Sequence, residues 1–166
     1  MENIRPQALI EDDLPRAAAA ASLSSVAAGI ARGVCRHFLA AGYGCLIEVP
    51  LRSGRRADVM ALGADGEVVI VEIKSGAQDY RSDQKWRDYR EFCDRFYFAV
   101  GETFPQALIP SEIGLLVADR YGAAAIRDGP VHRLAGARRK AVSLRFARLS
   151  AMRLQAVLDP PALGGL

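Results

Sequence analysis

Three charged residues stand in two apolar segments where charge is uncommon. Asp58 lies in RADVMAL (56–62), and Glu72 and Lys74 lie in EVVIVEIK (67–74). Two buried carboxylates repel each other and have raised pKa values unless a cation lies between them. Hard oxygen ligands with no His or Cys nearby favour Mg²⁺ or Mn²⁺, which leave coordination positions for phosphate oxygens. An adjacent lysine can orient a metal-bound water or neutralise charge on phosphorus oxygens, so the three residues predict phosphodiester hydrolysis.

The turn between the two segments decides whether the charges meet. A two-residue turn at Asp65-Gly66 would place Asp58 and Glu72 on opposite faces of the sheet. A three-residue loop that also includes Ala64, with its glycine in the left-handed conformation, would set the two carboxylates directly opposite each other. Both turns are compatible with the sequence, but only the longer loop brings the charges together. The alternative is an exposed ion pair at the strand ends, which would contribute little.

The elements that position these residues follow from the spacing of apolar side chains. Steps of three and four residues predict helices over 22–41, 82–93 and 139–158. Apolar or alternating runs predict strands over 45–51, 56–62, 67–74 and 95–100, and two short strands within 112–119 and 122–129. The third strand is apolar on both faces and is predicted to be central, whereas Pro50 predicts that the first ends there or lies at an edge. The order predicts an α/β fold with one mixed sheet flanked by helices.

Composition predicts one globular domain. The chain has 166 residues, of which 51% are hydrophobic and 25% charged. We expect an N-terminal arm at 1–21, a single domain at 22–159 and a C-terminal tail at 160–166. No export signal or membrane-length apolar segment is visible, which predicts a cytoplasmic protein without membrane contact. The three cysteines lack CxxC spacing and are interpreted as small apolar fillers.

The distribution of basic residues predicts a polyanionic partner. Residues 131–158 contain seven Lys or Arg and no acid, and a second cluster precedes Asp58. One-signed segments of this kind attract phosphates by counterion release, although a single cluster is also typical of a solvated helix face. With two clusters, one beside the carboxylates, we expect DNA as the partner. The predicted DNA contacts are Arg52, Arg55, Arg56, Arg138, Arg139, Lys140, Arg145 and Arg148.

The motif also resembles a known nuclease signature. Asp58, thirteen residues and then Glu72-Ile73-Lys74 resemble the D…(D/E)xK pattern of the PD-(D/E)XK nuclease superfamily. The blocks EVPLRSGRRADVMAL, VVIVEIKSG, DYRSDQKWRDY and CDRFYFAV together resemble the MmcB-like DNA repair proteins of bacteria. The resemblance implies a restriction-endonuclease-like fold with an α-β-β-β-α-β core. It also implies Asp58 and Glu72 as metal ligands, the Ile73 carbonyl as a third ligand, and Lys74 as the catalytic amine.

Other residues near the motif have weaker assignments. Glu48 matches the position where some superfamily members carry an additional catalytic acid. Gln84 and Lys85 either face the site and contact phosphate or occupy ordinary solvated positions. Asp79 and Asp83 are interpreted as acids that favour the start of the second helix, with a water-mediated metal contact as the alternative. The neighbouring Trp and Tyr, at helical spacing, are interpreted as core residues.

Two functions compete on these grounds. The leading prediction is a Mg²⁺- or Mn²⁺-dependent DNA nuclease that acts in DNA repair. The alternative is a catalytically silent nuclease-like fold that binds DNA or another repair protein without cutting. A purely structural module is a third hypothesis, for which the basic segments have no evident use.

Overall fold

Six strands form one sheet in the order in which they occur in the chain. A computed structural model describes residues 25–82 and 86–160. Its helices are α1 (Ser25–Ala40), α2 (Ala77–Ser82) and α3 (Gly136–Leu158), with 3₁₀ helices at Trp86–Phe92 and Gln106–Leu108. Its strands are β1 (Gly44–Pro50), β2 (Arg56–Leu62), β3 (Val68–Lys74), β4 (Arg95–Val100), β5 (Gly114–Ala118) and β6 (Ala123–Arg127).

The sheet is mixed, as predicted. Strands β1, β2 and β3 form an antiparallel meander, β3 to β5 run parallel, and β6 returns antiparallel at the far edge. All seven residues of β3 are buried, which confirms its central position. Strand β1 lies at an edge and ends at Pro50, so both expectations for this proline hold. The α/β class is confirmed, and the element order is consistent with a restriction-endonuclease-like fold.

Two apolar clusters cover the two faces of the sheet. Because successive side chains of a strand point to opposite faces, Ile70 and Val71 belong to different clusters. On one face, α1 packs Ile30 and Val34 against the sheet. On the other face, the 3₁₀ helix Trp86–Phe92 and part of α3 cover the sheet. This second face also carries the residues of the candidate site.

The predicted second helix over 82–93 is wrong in its form. The chain instead forms α2 at Ala77–Ser82 and a 3₁₀ helix at Trp86–Phe92. The latter buries Trp86, Tyr89 and Phe92, at every third position, and stacks Trp86 and Tyr89 on Phe96. A repeat of three matches the 3₁₀ helix, whose side chains at i and i+3 lie on one line. Burial of Trp86 and Tyr89 confirms their interpretation as core residues.

The remaining boundaries lie close to the predictions. Strands β2 and β4 begin and end as predicted, whereas α3 begins three residues earlier, at Gly136. Helix α1 ends at Ala40, and Gly42 follows with φ of +85°. The predicted start of this helix, the arm at 1–21 and most of the tail lie outside the described residues. Within 25–82 and 86–160, no helix has both the length and the apolar character needed to cross a bilayer.

Candidate active site

The register of β2 and β3 brings Asp58 and Glu72 together. Val59 pairs with Val71, so the next position along the two strands sets Asp58 opposite Glu72. The connecting loop has three residues, 64–66, closed by a hydrogen bond from the Gly63 N–H to the Glu67 carbonyl at 2.9 Å. Its last residue, Gly66, has φ of +83°. The three-residue loop and the register predicted with it are confirmed.

Beyond Val59, hydrogen bonds from backbone N–H groups to side-chain carboxylates replace the backbone pairing between β2 and β3. The Asp58 N–H donates to Oε1 of Glu72 at 3.3 Å, and the Ile73 N–H donates to Oδ2 of Asp58 at 2.8 Å. The backbone pairing of β2 with β3 ends at Val59. Each carboxylate therefore links its own strand to the backbone of the neighbouring strand beyond the last paired position.

Burial raises the pKa of both carboxyl groups. The pKa of Asp58 rises to about 6, chiefly by desolvation and further by the charge of Glu48, against hydrogen bonding from Ile73. The pKa of Glu72 rises to about 8, first by desolvation and then by the charge of Asp58. The charge of Lys74 opposes both shifts. Two carboxyls with raised pKa values on facing positions of neighbouring strands form a site that a cation would stabilise.

Lys74 is buried on the same strand as Glu72, two residues further on. Its relative exposure is 4%, and its Nζ lies 5.9 Å from the centroid of the Phe98 ring. Residues two apart on a strand share a face. The structure thus brings the predicted amine and the two predicted carboxylates to one end of one sheet face.

Glu48 extends the row of carboxylates onto β1. Its neighbours Ile47 and Val49 pair with Val59 and Ala57, which sets Glu48 opposite Asp58. It is 3% exposed, and within the described residues no other non-glycine residue has a positive φ, here +52°. A left-handed conformation costs a glutamate roughly 1–2 kcal/mol. Such outliers cluster at functional sites, where the surrounding structure holds them.

The side chain of Glu48 is engaged by Arg56. The Arg56 Nε lies 2.5 Å from Oε2 of Glu48. Across 25–82 and 86–160, no group of three or more His, Cys, Asp and Glu side chains converges as a metal centre would. Glu48 therefore lies next to Asp58 across the strands, as Glu72 does on the other side, but its carboxylate pairs with Arg56.

Sequence reasoning placed Tyr89 in the core and missed its contact with the site. Its hydroxyl donates to the Arg56 carbonyl at 3.1 Å, and its proximity to Glu72 favours the ionised carboxylate by lowering the Glu72 pKa. Tyr89 is both buried and polar, and a buried phenol normally needs a hydrogen-bond partner. The need of a buried tyrosine for a hydrogen-bond partner was the feature of the sequence that could have predicted this contact.

Several predicted DNA contacts bind other parts of the chain. Arg55 pairs with Asp88 and Arg138 with Glu91, both at the surface. Arg139 donates to both oxygens of Asp94 and to the Gly66 carbonyl, and Arg145 donates to the Pro50 carbonyl. The contacts of Arg139 and Arg145 attach α3 to the sheet and its loops. Among the remaining predicted contacts, Arg52, Lys140 and Arg148 are exposed.

Two further assignments concern the start of the second helical region. Asp79 accepts hydrogen bonds from the Ser75 N–H and hydroxyl at 3.1 and 3.2 Å, so it closes the first turn of α2 as expected of a capping acid. Asp83, Gln84 and Lys85 lie outside the described residues. Their predicted roles stay predictions.

Comparison with known proteins gives three findings. A family model described as DNA repair protein MmcB-like matches residues 14–161. The SPO1766 protein of unknown function from Silicibacter pomeroyi is 46% identical, with a TM-score of 0.80 over 86% of this chain and 97% of that chain. A repair endonuclease from Pyrococcus abyssi is 20% identical, with a TM-score of 0.33 over 48% of this chain and 39% of that chain. No curated protein matches.

Proposed function

The chain belongs to the MmcB-like family of DNA repair proteins, and from this premise we propose that it is a DNA nuclease dependent on Mg²⁺ or Mn²⁺. The observation that supports this most is the contact of Asp58 with Glu72 on a buried face that also holds Lys74. Charges are seldom buried in a core unless they are paired or coordinate a metal. In a phosphodiester hydrolase, the two carboxylates would bind the metal and the lysine would stabilise negative charge on the phosphate.

The donor set fits a small hard cation. Asp58 and Glu72 offer carboxylate oxygens, which Mg²⁺ and Mn²⁺ prefer. Mg²⁺ is commonly held by one or two carboxylates plus waters and substrate phosphate, so a third acidic ligand is not required. A cation there would also offset the desolvation that raises both pKa values. We propose these two carboxylates as ligands, with the Ile73 carbonyl as a third.

Other residues near the two carboxylates would stabilise charge and bind the substrate. When bound, the metal supplies a water of lowered pKa and neutralises charge on the phosphate. Lys74 would place a fixed positive charge beside the phosphorus oxygens on which negative charge develops. Tyr89, beside Glu72, would favour the ionised form of that carboxylate. Arg52, exposed at the end of the sheet that carries Asp58, would bind the DNA backbone, whereas Arg56 is held by Glu48.

A cleavage assay tests the proposal. Single-stranded, duplex, nicked and branched DNA are incubated with the protein in Mg²⁺ and in Mn²⁺. We expect Asp58→Asn and Glu72→Gln to abolish cleavage, and Lys74→Met to slow it by roughly 100-fold or more. Asp88→Asn, an exposed acid paired with Arg55, is the matched control and should cleave normally. Cleavage that survives Asp58→Asn would show that another site performs the reaction.

One observation favours the second candidate function, DNA binding without cleavage. Glu48, the additional acid of the row, is directed to Arg56, and no three-acid group forms within the described residues. A protein that uses the fold only to bind would hold DNA in EDTA as tightly as in Mg²⁺ and leave it intact. Binding without cleavage of any of the four DNA forms would select this function.

A further inference from the structure

An apolar cavity lies beside the carboxylates and has no part in the function proposed so far. Its volume is about 480 Å³, within the range of roughly 300–1,000 Å³ typical of small-ligand pockets. The sheet contributes one wall, the 3₁₀ helix Trp86–Phe92 a second and α3 a third. The apolar lining residues are Val49, Leu51, Met60, Phe92, Val142 and Phe146.

Arginines surround this apolar interior. Arg52, Arg138 and Arg145 line the same cavity, together with one acid, Glu91, which pairs with Arg138. A second cavity of about 360 Å³ shares Arg52, Ala141 and Arg145 with the first and adds Arg148. The two form a continuous groove along α3, which we call the α3 groove. An apolar floor with cationic edges suits a ligand that has flat apolar faces and carries negative charge on both sides.

The α3 groove begins close to the candidate active site. Met60, in its floor, is two residues along β2 from Asp58, a distance of roughly 7 Å along the strand. Val49, also in the floor, follows Glu48 and pairs with Ala57. A nucleic-acid strand whose phosphate lies at Asp58 would therefore place a neighbouring nucleotide at the groove.

We propose that the α3 groove binds one unpaired nucleobase of single-stranded DNA, with the adjoining phosphates on Arg52, Arg145 and Arg148. The inference rests on the proposed function and names its substrate class. A paired base is stacked inside the duplex and cannot enter such a groove, whereas an unpaired base can be extruded at low cost. Apolar and aromatic surfaces such as Phe92 and Phe146 bind bases of any sequence, and arginines follow the backbone.

The test measures binding in EDTA, so that cleavage plays no part. Fluorescence anisotropy follows the full chain as it binds a labelled single strand of about eight nucleotides, which is short enough to limit the binding registers. It also follows binding of the duplex of this strand and of a series of strands with one base removed at successive positions. We expect single-strand binding to weaken about tenfold when one particular base is removed. The duplex should bind less tightly than the single strand.

A matched pair of variants assigns the effect to the groove. Ala141 is an exposed residue of α3 that lines both cavities, and Ala147 is an exposed residue of the same helix that lines neither. Ala141→Trp should fill the groove and remove the dependence on that base. Ala147→Trp should keep it. Equal behaviour of the two variants, or equal affinity for every abasic strand, would overturn the proposal.

Two further outcomes separate this inference from the nuclease proposal. Cleavage in Mg²⁺ with no dependence on any base would overturn the groove assignment and leave the nuclease in place. Base-dependent binding without cleavage would support the groove and remove the nuclease. If an acidic, leucine-containing peptide competes with the labelled single strand although base removal has no effect on binding, that result would identify a peptide site and overturn the inference.

Discussion

The Glu72 carboxylate accepts the backbone N–H of Asp58, and the Asp58 carboxylate accepts the N–H of the residue after Glu72. Each carboxylate thus accepts an N–H hydrogen bond that a backbone carbonyl would otherwise accept, at the point where the backbone pairing of β2 with β3 ends. The exchange holds both side chains in place, Glu72 buried and Asp58 half-buried. It also places two carboxyls on facing positions of neighbouring strands, with consequences for stability that can be measured.

Without metal, stability should fall as pH rises. The folded-state pKa values are about 6 for Asp58 and about 8 for Glu72, above the unfolded values of about 3.9 and 4.3. The folded chain therefore binds more protons between about pH 4 and pH 8, and the free energy of unfolding decreases with pH across that window. Urea unfolding in EDTA at pH 6 and pH 8.5 should show a loss of a few kcal/mol, at about 1.4 kcal/mol per pKa unit.

The variant Glu72→Gln assigns this loss to its source. It should flatten the pH dependence and stabilise the metal-free protein at pH 8.5 by about 1–3 kcal/mol, because the amide carries no charge to desolvate. The control Glu102→Gln changes an exposed carboxyl and should leave the slope as it is. A slope unchanged by Glu72→Gln would contradict the assignment.

Metal should restore the stability that pH removes. A cation that binds only the folded chain stabilises it by about 1.4 kcal/mol at ten times its Kd. Because protons compete for the same oxygens, the rise in melting temperature with Mn²⁺ should be larger at pH 8.5 than at pH 6. Asp58→Asn should abolish the rise and Asp88→Asn should keep it. An equal rise in both variants would place the metal elsewhere.

The sequence was sufficient to predict the strand that carries the site. Continuous apolar residues in β3 can be satisfied only by burial on both faces, and Gly66 supplies the left-handed turn that a three-residue loop needs. Once that loop is chosen, the period of two fixes which charges meet. The sequence therefore allowed two registers, one for each loop length, and the structure has the register that sets Asp58 opposite Glu72.

Other features depend on contacts between distant segments. The spacing of Trp86, Tyr89 and Phe92 suits a helix of either period, and packing against Phe96 accompanies the 3₁₀ form. The positive φ of Glu48 has no local sequence signal, because glutamate does not favour it. Similarly, the bonds of Arg139 join residues 45 positions apart or more, beyond the reach of any spacing rule.

The bond between Asp94 and Arg139 should be a main attachment of α3. Arg139 donates twice to Asp94, at 2.7 Å each, and the N–H groups of Val68 and Leu134 donate to the same carboxylate. Asp94→Asn should cost about 2–4 kcal/mol in urea unfolding, because buried donors lose a charged acceptor. The exposed pair formed by Arg138 is the control, and Glu91→Gln should change stability by about 0.5 kcal/mol or less.

The ion pair of Glu48 with Arg56 should show strong coupling. Arg56→Met removes the Arg56 ion pair of a buried carboxylate and should destabilise the metal-free protein by about 1–3 kcal/mol. Adding Glu48→Gln to that variant removes the charge and should recover part of the loss. A double-mutant cycle in EDTA measures the coupling. Additive effects of the two substitutions would mean that the pair contributes nothing to stability.

The salt dependence of DNA binding tests the basic end of the β1–β2 hairpin. Each phosphate contact contributes about 0.7 to 0.9 to the slope of log K against log salt. Arg52→Ala should weaken binding to all sequences and reduce the slope by about that amount, since a contact with phosphate carries no sequence information. Arg120 is exposed beside the opposite edge of the sheet, and Arg120→Ala should leave the slope unchanged. Equal slopes for Arg52→Ala and the unmodified chain would remove Arg52 from the DNA-binding surface and direct attention to Lys140 and Arg148.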